Sequence, residues 1–100
     1  MGFPDIIPVV TPVYNVDMSN VQKVTISGTH AETTNPVAAT AILVVSTTAC
    51  HVRIADAPVA VATDFYLPAN VFMTFPCAGS NKVSFIQDSA GGTGWVTGLL

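Results

Sequence analysis

Ala38-Ala39-Thr40-Ala41-Ile42-Leu43-Val44-Val45-Ser46, followed by Thr47-Thr48 and then Ala49-Cys50-His51-Val52-Arg53-Ile54-Ala55, decides the fold. The three alanines at its start favour helix, because alanine loses least on entering one. The unbroken apolar run of Ile42 to Val45 and the flanking threonines favour strand, because β-branched residues are stiff and pack well on a pleated surface. The second half alternates: Cys50, Val52 and Ile54 share one side, and His51 and Arg53 the other. We read both halves as strand, with Thr47-Thr48 as a bulge inside one long strand rather than a hairpin turn.

Outward from that pair the chain keeps the same character. Val21 to Ser27 is a strand with Val24 and Ile26 on one face. Gly28 to Pro36 is a polar loop holding His30 and Glu32. Asp56 to Asn70 is a long connection in which Ala60 to Thr63 is either a short strand or one helical turn, and Asp64 to Pro68 is extended. Val71 to Phe75 is a strand stopped by Pro76, Ala78 to Asn81 is a turn, and Lys82 to Gln87 is a strand with Val83 and Phe85 inward. Asp88 to Gly94 is a glycine-rich hairpin loop, and Trp95 to Leu100 is the last strand. The expected fold is all-β: an antiparallel β-sandwich or small barrel of six to eight short strands.

Residues 1–20 are different. Pro4, Pro8 and Pro12 punctuate an apolar stretch, which excludes a helix. The stretch is too hydrophobic for a solvated tail. It is read as an extended arm ahead of a single β domain at 21–100. Phe3, Ile6, Ile7, Val9, Val10 and Tyr14 are the residues expected to contact a partner, either as an edge strand of the same domain or on a neighbouring subunit.

Charge is scarce. Half of the 100 residues are hydrophobic and only 9% are charged, for a net charge of −3. Lys23, Arg53 and Lys82 are too few and too scattered to neutralise phosphates, which argues against nucleic acid and against anionic membranes. No apolar stretch approaches the ~20 residues of a spanning helix. The N-terminus lacks a basic segment and its prolines interrupt any apolar one, so no secretory signal is expected and the chain is expected to stay in the cytosol until it assembles. Depletion of charge is typical of surfaces buried between subunits, so an oligomer is expected. Cys50 and Cys77 are expected to be free thiols in that compartment.

Chemistry is hard to find. His30, His51, Cys50 and Cys77 lack metal-ligand spacing, and adjacent Cys50 and His51 face opposite sides of a strand. No nucleophile motif surrounds either cysteine or any serine. Asp5, Asp17, Glu32, Asp56, Asp64 and Asp88 include no pair beside an aromatic sugar platform. Gly91-Gly92-Thr93-Gly94 precedes a strand, so it lacks the helix N-terminus that holds phosphate. Tyr14, Tyr66, Phe72 and Trp95 are assigned to core or subunit interface before a ligand site. No enzyme, metal or cofactor is expected.

His51-Val52-Arg53-Ile54-Ala55 leading to Ala62-Thr63 and Leu67-Pro68-Ala69, then Gly79 to Ile86, then a glycine-rich turn before Trp95-Val96-Thr97, resembles a pattern in small structural proteins of tailed bacteriophages. The resemblance covers about residues 42 to 98 and leaves out the arm. It implies a virion component assembled in the host cytoplasm: a capsid decoration (cement) protein, or a head–tail or tail adaptor subunit. The implied partners are the major capsid protein or other virion subunits and further copies of the chain, most plausibly as a trimer. The arm would then add a strand to a neighbour's edge or lie over the shell. A carbohydrate- or cell-surface-binding module using Tyr66 and Trp95 is the alternative from another class.

Overall fold

A computed structural model of the chain describes residues 16–100. The described residues form eight strands: β1 (Val16–Ile26), β2 (Ala31–Glu32), β3 (Ala41–Ser46), β4 (Cys50–Ala55), β5 (Phe65–Leu67), β6 (Met73–Pro76), β7 (Lys82–Gln87) and β8 (Gly92–Leu99). They build two antiparallel four-stranded sheets, β1-β8-β3-β6 and β2-β7-β4-β5, packed face to face as a sandwich. Of the connections, only β4 to β5 joins neighbouring strands of one sheet. Eight strands in this order make a jelly roll, two Greek keys wound together.

The core is the inward alternation of both sheets. Val24, Ile26, Ile42, Val44 and Val96 come from the first sheet; Cys50, Val52, Leu67, Val83 and Phe85 come from the second. These are largely the positions the period-two pattern puts on one face. Lys82 to Gln87 is a strand with the boundaries expected, and Val83 and Phe85 are fully buried.

Several expectations change. β3 and β4 are not one bulged strand: they belong to different sheets. The chain crosses the sandwich at Thr47-Thr48, where the Thr47 amide donates to Thr93 O and the Ser46 hydroxyl donates to Thr48 O. These bonds spend polar groups that a continuing strand would have used for pairing. Asp88 to Gly94 is not a hairpin loop either, since β7 and β8 lie in opposite sheets. Gly94 is a buried strand residue whose Cβ position is 2.9 Å from the Phe85 ring. Its glycine serves close approach rather than turning. Third, β1 begins at Val16, so residues 16–20, grouped with the arm by sequence, are strand. A register shift between Val16 and Val21 marks a bulge there. Fourth, the Ala60 to Thr63 segment is a turn, neither strand nor helix. Fifth, Ala31–Glu32, inside the segment read as a polar loop, is a strand paired with β7.

Both cysteines are free. The Cys50 thiol donates to the Ser46 hydroxyl at 3.5 Å, and Cys77 donates to Ala39 O at 2.7 Å. Burial pushes the Cys50 thiol up, which makes it a poor nucleophile.

Candidate interaction surface

The two long edges of the sandwich are built differently. At the β1–β2 edge, Val24 and Ile26 are buried. The Gln22 side chain ties β1 to the loop after β2: its Nε2 donates to Asn35 O at 2.9 Å and its Oε1 accepts from Asn35 N at 3.0 Å, while Val16, Met18 and Val21 of the same strand stay exposed. The opposite edge, β5 facing β6, is open. Phe65 shares the inner face with Leu67, yet it is 48% exposed while Leu67 is fully buried. Phe75 sits opposite the fully buried Ile42 and meets Phe65 edge-on, with ring centroids 5.2 Å apart. This one aromatic contact bridges the two sheets at their rim, and water reaches it.

The connection between β5 and β6 adds to the exposure. Asn70 adopts a left-handed conformation (φ 61°), which asparagine tolerates better than most residues. Its amide donates to Ser46 O at 2.7 Å, fixing the turn to the end of β3. Val71 and Phe72 follow that turn into solvent, and Phe72 is 66% exposed. Residues 65–81 contain no Asp, Glu, Lys or Arg. A shallow cavity of about 250 Å³ lined by Thr40, Ala41, Thr74, Phe75 and Pro76 lies beside β6.

A polar cluster holds the outer face of the second sheet. His51 and Arg53 point there, as the alternation of β4 predicts. The Arg53 guanidinium grips the Asp64 carboxylate through Nε and Nη2 at 2.8–3.0 Å. Asp64 Oδ2 also accepts from Val61 N, and Ala60 N donates to the buried Ser84 hydroxyl. The 56–64 connection is thereby strapped over β4 and β7. His51 faces an acceptor on each ring nitrogen: Asp64 O at 3.1 Å from Nδ1 and Asp88 Oδ1 at 2.9 Å from Nε2. Only the doubly protonated ring donates to both. The Asp88 hydrogen bond raises the His51 pKa, and Arg53 holds the Asp64 carboxyl below its usual range. Tyr66 leans on the His51 ring at 5.7 Å. With both its nitrogens and its ring face engaged, His51 is a fastener, and among the described residues no serine, threonine or cysteine hydroxyl or thiol bonds to it.

The remaining candidates are scattered. His30 is exposed on the loop before β2, far in sequence and strand order from His51. Among the described residues, no three His, Cys, Asp or Glu side chains converge on one point. Tyr66 pairs with His51 on the outer face of the second sheet, whereas Trp95 pairs with Lys23 and Val45 on the outer face of the first. They stand on opposite sides of the sandwich and cannot form one sugar platform. Phe3, Ile6, Ile7, Val9, Val10 and Tyr14 lie outside the described residues. The open β5–β6 edge was missed in the sequence, where Phe65 and Phe75 look like core. The available signal was the charge-free run at 65–81 combined with two short strands each closed by a proline. Comparisons with known protein families, with curated proteins and with solved structures return no match to this chain.

Proposed function

We propose that the chain is a non-enzymatic structural protein of a tailed-bacteriophage virion, a decoration protein that stabilises the head by contacts between subunits. The observation that carries the proposal is the β5–β6 edge: a charge-free, half-open aromatic rim on a jelly roll whose other edge is tied by Gln22. Inward-facing aromatic surface left wet marks a place where protein covers protein. The jelly-roll order adds support, since capsid proteins use it, although lectins do too. Such a protein needs no chemistry. Its contacts, weak one at a time, add up through symmetric repetition on a shell.

The test is localisation. Antibody to the purified chain labels the heads of virions that carry its gene, and the chain added back to heads stripped of it co-sediments and raises their melting temperature. Labelling confined to the neck or tail would favour the adaptor-ring alternative. Absence from virions would overturn both.

A further inference from the structure

We infer that the β5–β6 edge is a receptor for the proline-punctuated segment 4–14 of a second copy of this chain. The backbone of this edge rejects strand addition. In β6 the Cys77 amide donates to Thr40 O, so by alternation Phe75 and Met73 turn their polar groups toward β3, while Thr74 and Pro76 turn theirs to the free side. Pro76 has no N–H, which leaves Thr74 as the only donor that β6 offers there. β5 is three residues long and is followed by Pro68. Short, proline-stopped edges resist pairing with another strand. The side chains do the opposite: Phe65, Phe72 and Phe75 lie open or half open with no charge among them.

The occupant that fits is apolar, extended and indifferent to missing backbone donors. Residues 4–14 have that character. In an extended chain Pro4, Ile6, Pro8, Val10, Pro12 and Tyr14 share one face, with no polar side chain but the tyrosine hydroxyl among them. Three of the six lack an N–H. Proline-bearing extended segments recurrently dock in aromatic-lined grooves.

The register argues for a second copy. Val16 pairs with Leu99, Leu99 with Ala41, and Ala41 with Pro76, so the start of β1 and the end of β6 lie in one row. Val16, where the described residues begin, therefore stands at the Pro76 end. Phe72 is at the other end of β6, beside Ser46. To cover its own edge the segment would have to reverse, cross three strand spacings of about 14 Å and run back along β6. Run outward instead, fifteen residues at ~3.1 Å each reach about 45 Å, enough to lie on a neighbour. Such an arm-to-edge contact is heterologous and closes into a ring where the rotation permits.

The inference rests on the assembly reading above only in taking the chain to be oligomeric, and its test uses no capsid, so the two fail separately. Two full-length variants are compared by light scattering: an edge variant, Val71→Asp with Phe72→Asp, and an arm variant, Ile6→Asp with Val10→Asp. Circular dichroism melting checks that each is folded. The wild-type chain is expected to be an oligomer and each variant a monomer, with association weakened at least tenfold. Mixed one to one, the variants should form a complex of one each, because one supplies an intact arm and the other an intact edge. A monomeric wild type, either variant at wild-type mass, or a mixture that stays monomeric would each overturn the inference.

Discussion

The β1–β2 and β5–β6 edges bound the same sandwich and are finished in opposite ways. At the first, Gln22 reaches across to both polar groups of Asn35, and Val24 and Ile26 are buried although Val16, Met18 and Val21 are not. At the second, an edge-on pair of phenylalanines lies half exposed at the rim. A row across the second sheet makes the contrast local: Ala31, Phe85, Val52 and Phe65 stand side by side on β2, β7, β4 and β5. Phe85 has no exposed surface and Phe65 is half exposed, although they share a face and a row. Composition is not the cause, since the residues are identical. Position is: β7 lies between β2 and β4, whereas β5 is an edge strand. One rim is tied by Gln22, and the other carries the docking surface proposed above.

The largest expected effect separates the two phenylalanines. Phe85→Ala empties the centre of the core and should cost about 4 kcal/mol in urea unfolding. Phe65→Ala should cost about 1 kcal/mol, roughly the edge-on aromatic contact and half a ring of burial. Equal losses would mean that the β5–β6 edge is closed in solution and the comparison false. Next comes the strap over the second sheet. His51→Ala removes two hydrogen bonds of a charged ring and should cost about 2 kcal/mol at pH 6. Because the folded His51 pKa is raised, its contribution is complete below the unfolded value near 6.5 and is lost as pH climbs through the higher folded value. Stability measured from pH 5 to 9 should thus fall at the alkaline side in the wild type, and the His51→Ala curve should lack that fall.

Smaller again is the tied edge itself. Gln22→Ala should cost about 1 kcal/mol and speed amide exchange at Asn35, since it leaves both backbone groups to water. Smallest is Phe72→Ser, expected to change monomer stability by less than ~0.5 kcal/mol, as is usual for exposed positions. Its effect should fall on association alone.

The strands were largely legible because apolar Cys50, Val52 and Ile54 alternate with His51 and Arg53, and Val83 and Phe85 with Lys82 and Ser84, and Lys82–Gln87 needed no correction. Which sheet a strand joins was not legible. Thr47-Thr48 and Asp88 to Gly94 look like a bulge and a hairpin loop because both are short; what decides is the pairing of distant strands, Thr47 with Thr93 among them. Gly94 misled for a related reason: a glycine read as a loop residue is instead the space for a phenylalanine on the facing sheet. His51 was placed on the correct face, but its partners Asp64 and Asp88 come from two separate connections and only the folded chain brings them to it. The open edge was unreadable in principle from periodicity, since Phe65 has the right spacing for core and only the absence of a neighbour exposes it.

The central claim is that the open edge joins subunits. The most direct measurement is the molar mass of the wild-type chain and of Phe72→Ser by light scattering at matched concentration. The account predicts a wild-type mass that is a multiple of 10.4 kDa and a shift toward the single-chain mass in the variant. A wild type that stays at the single-chain mass, or a variant that assembles equally well, would contradict it.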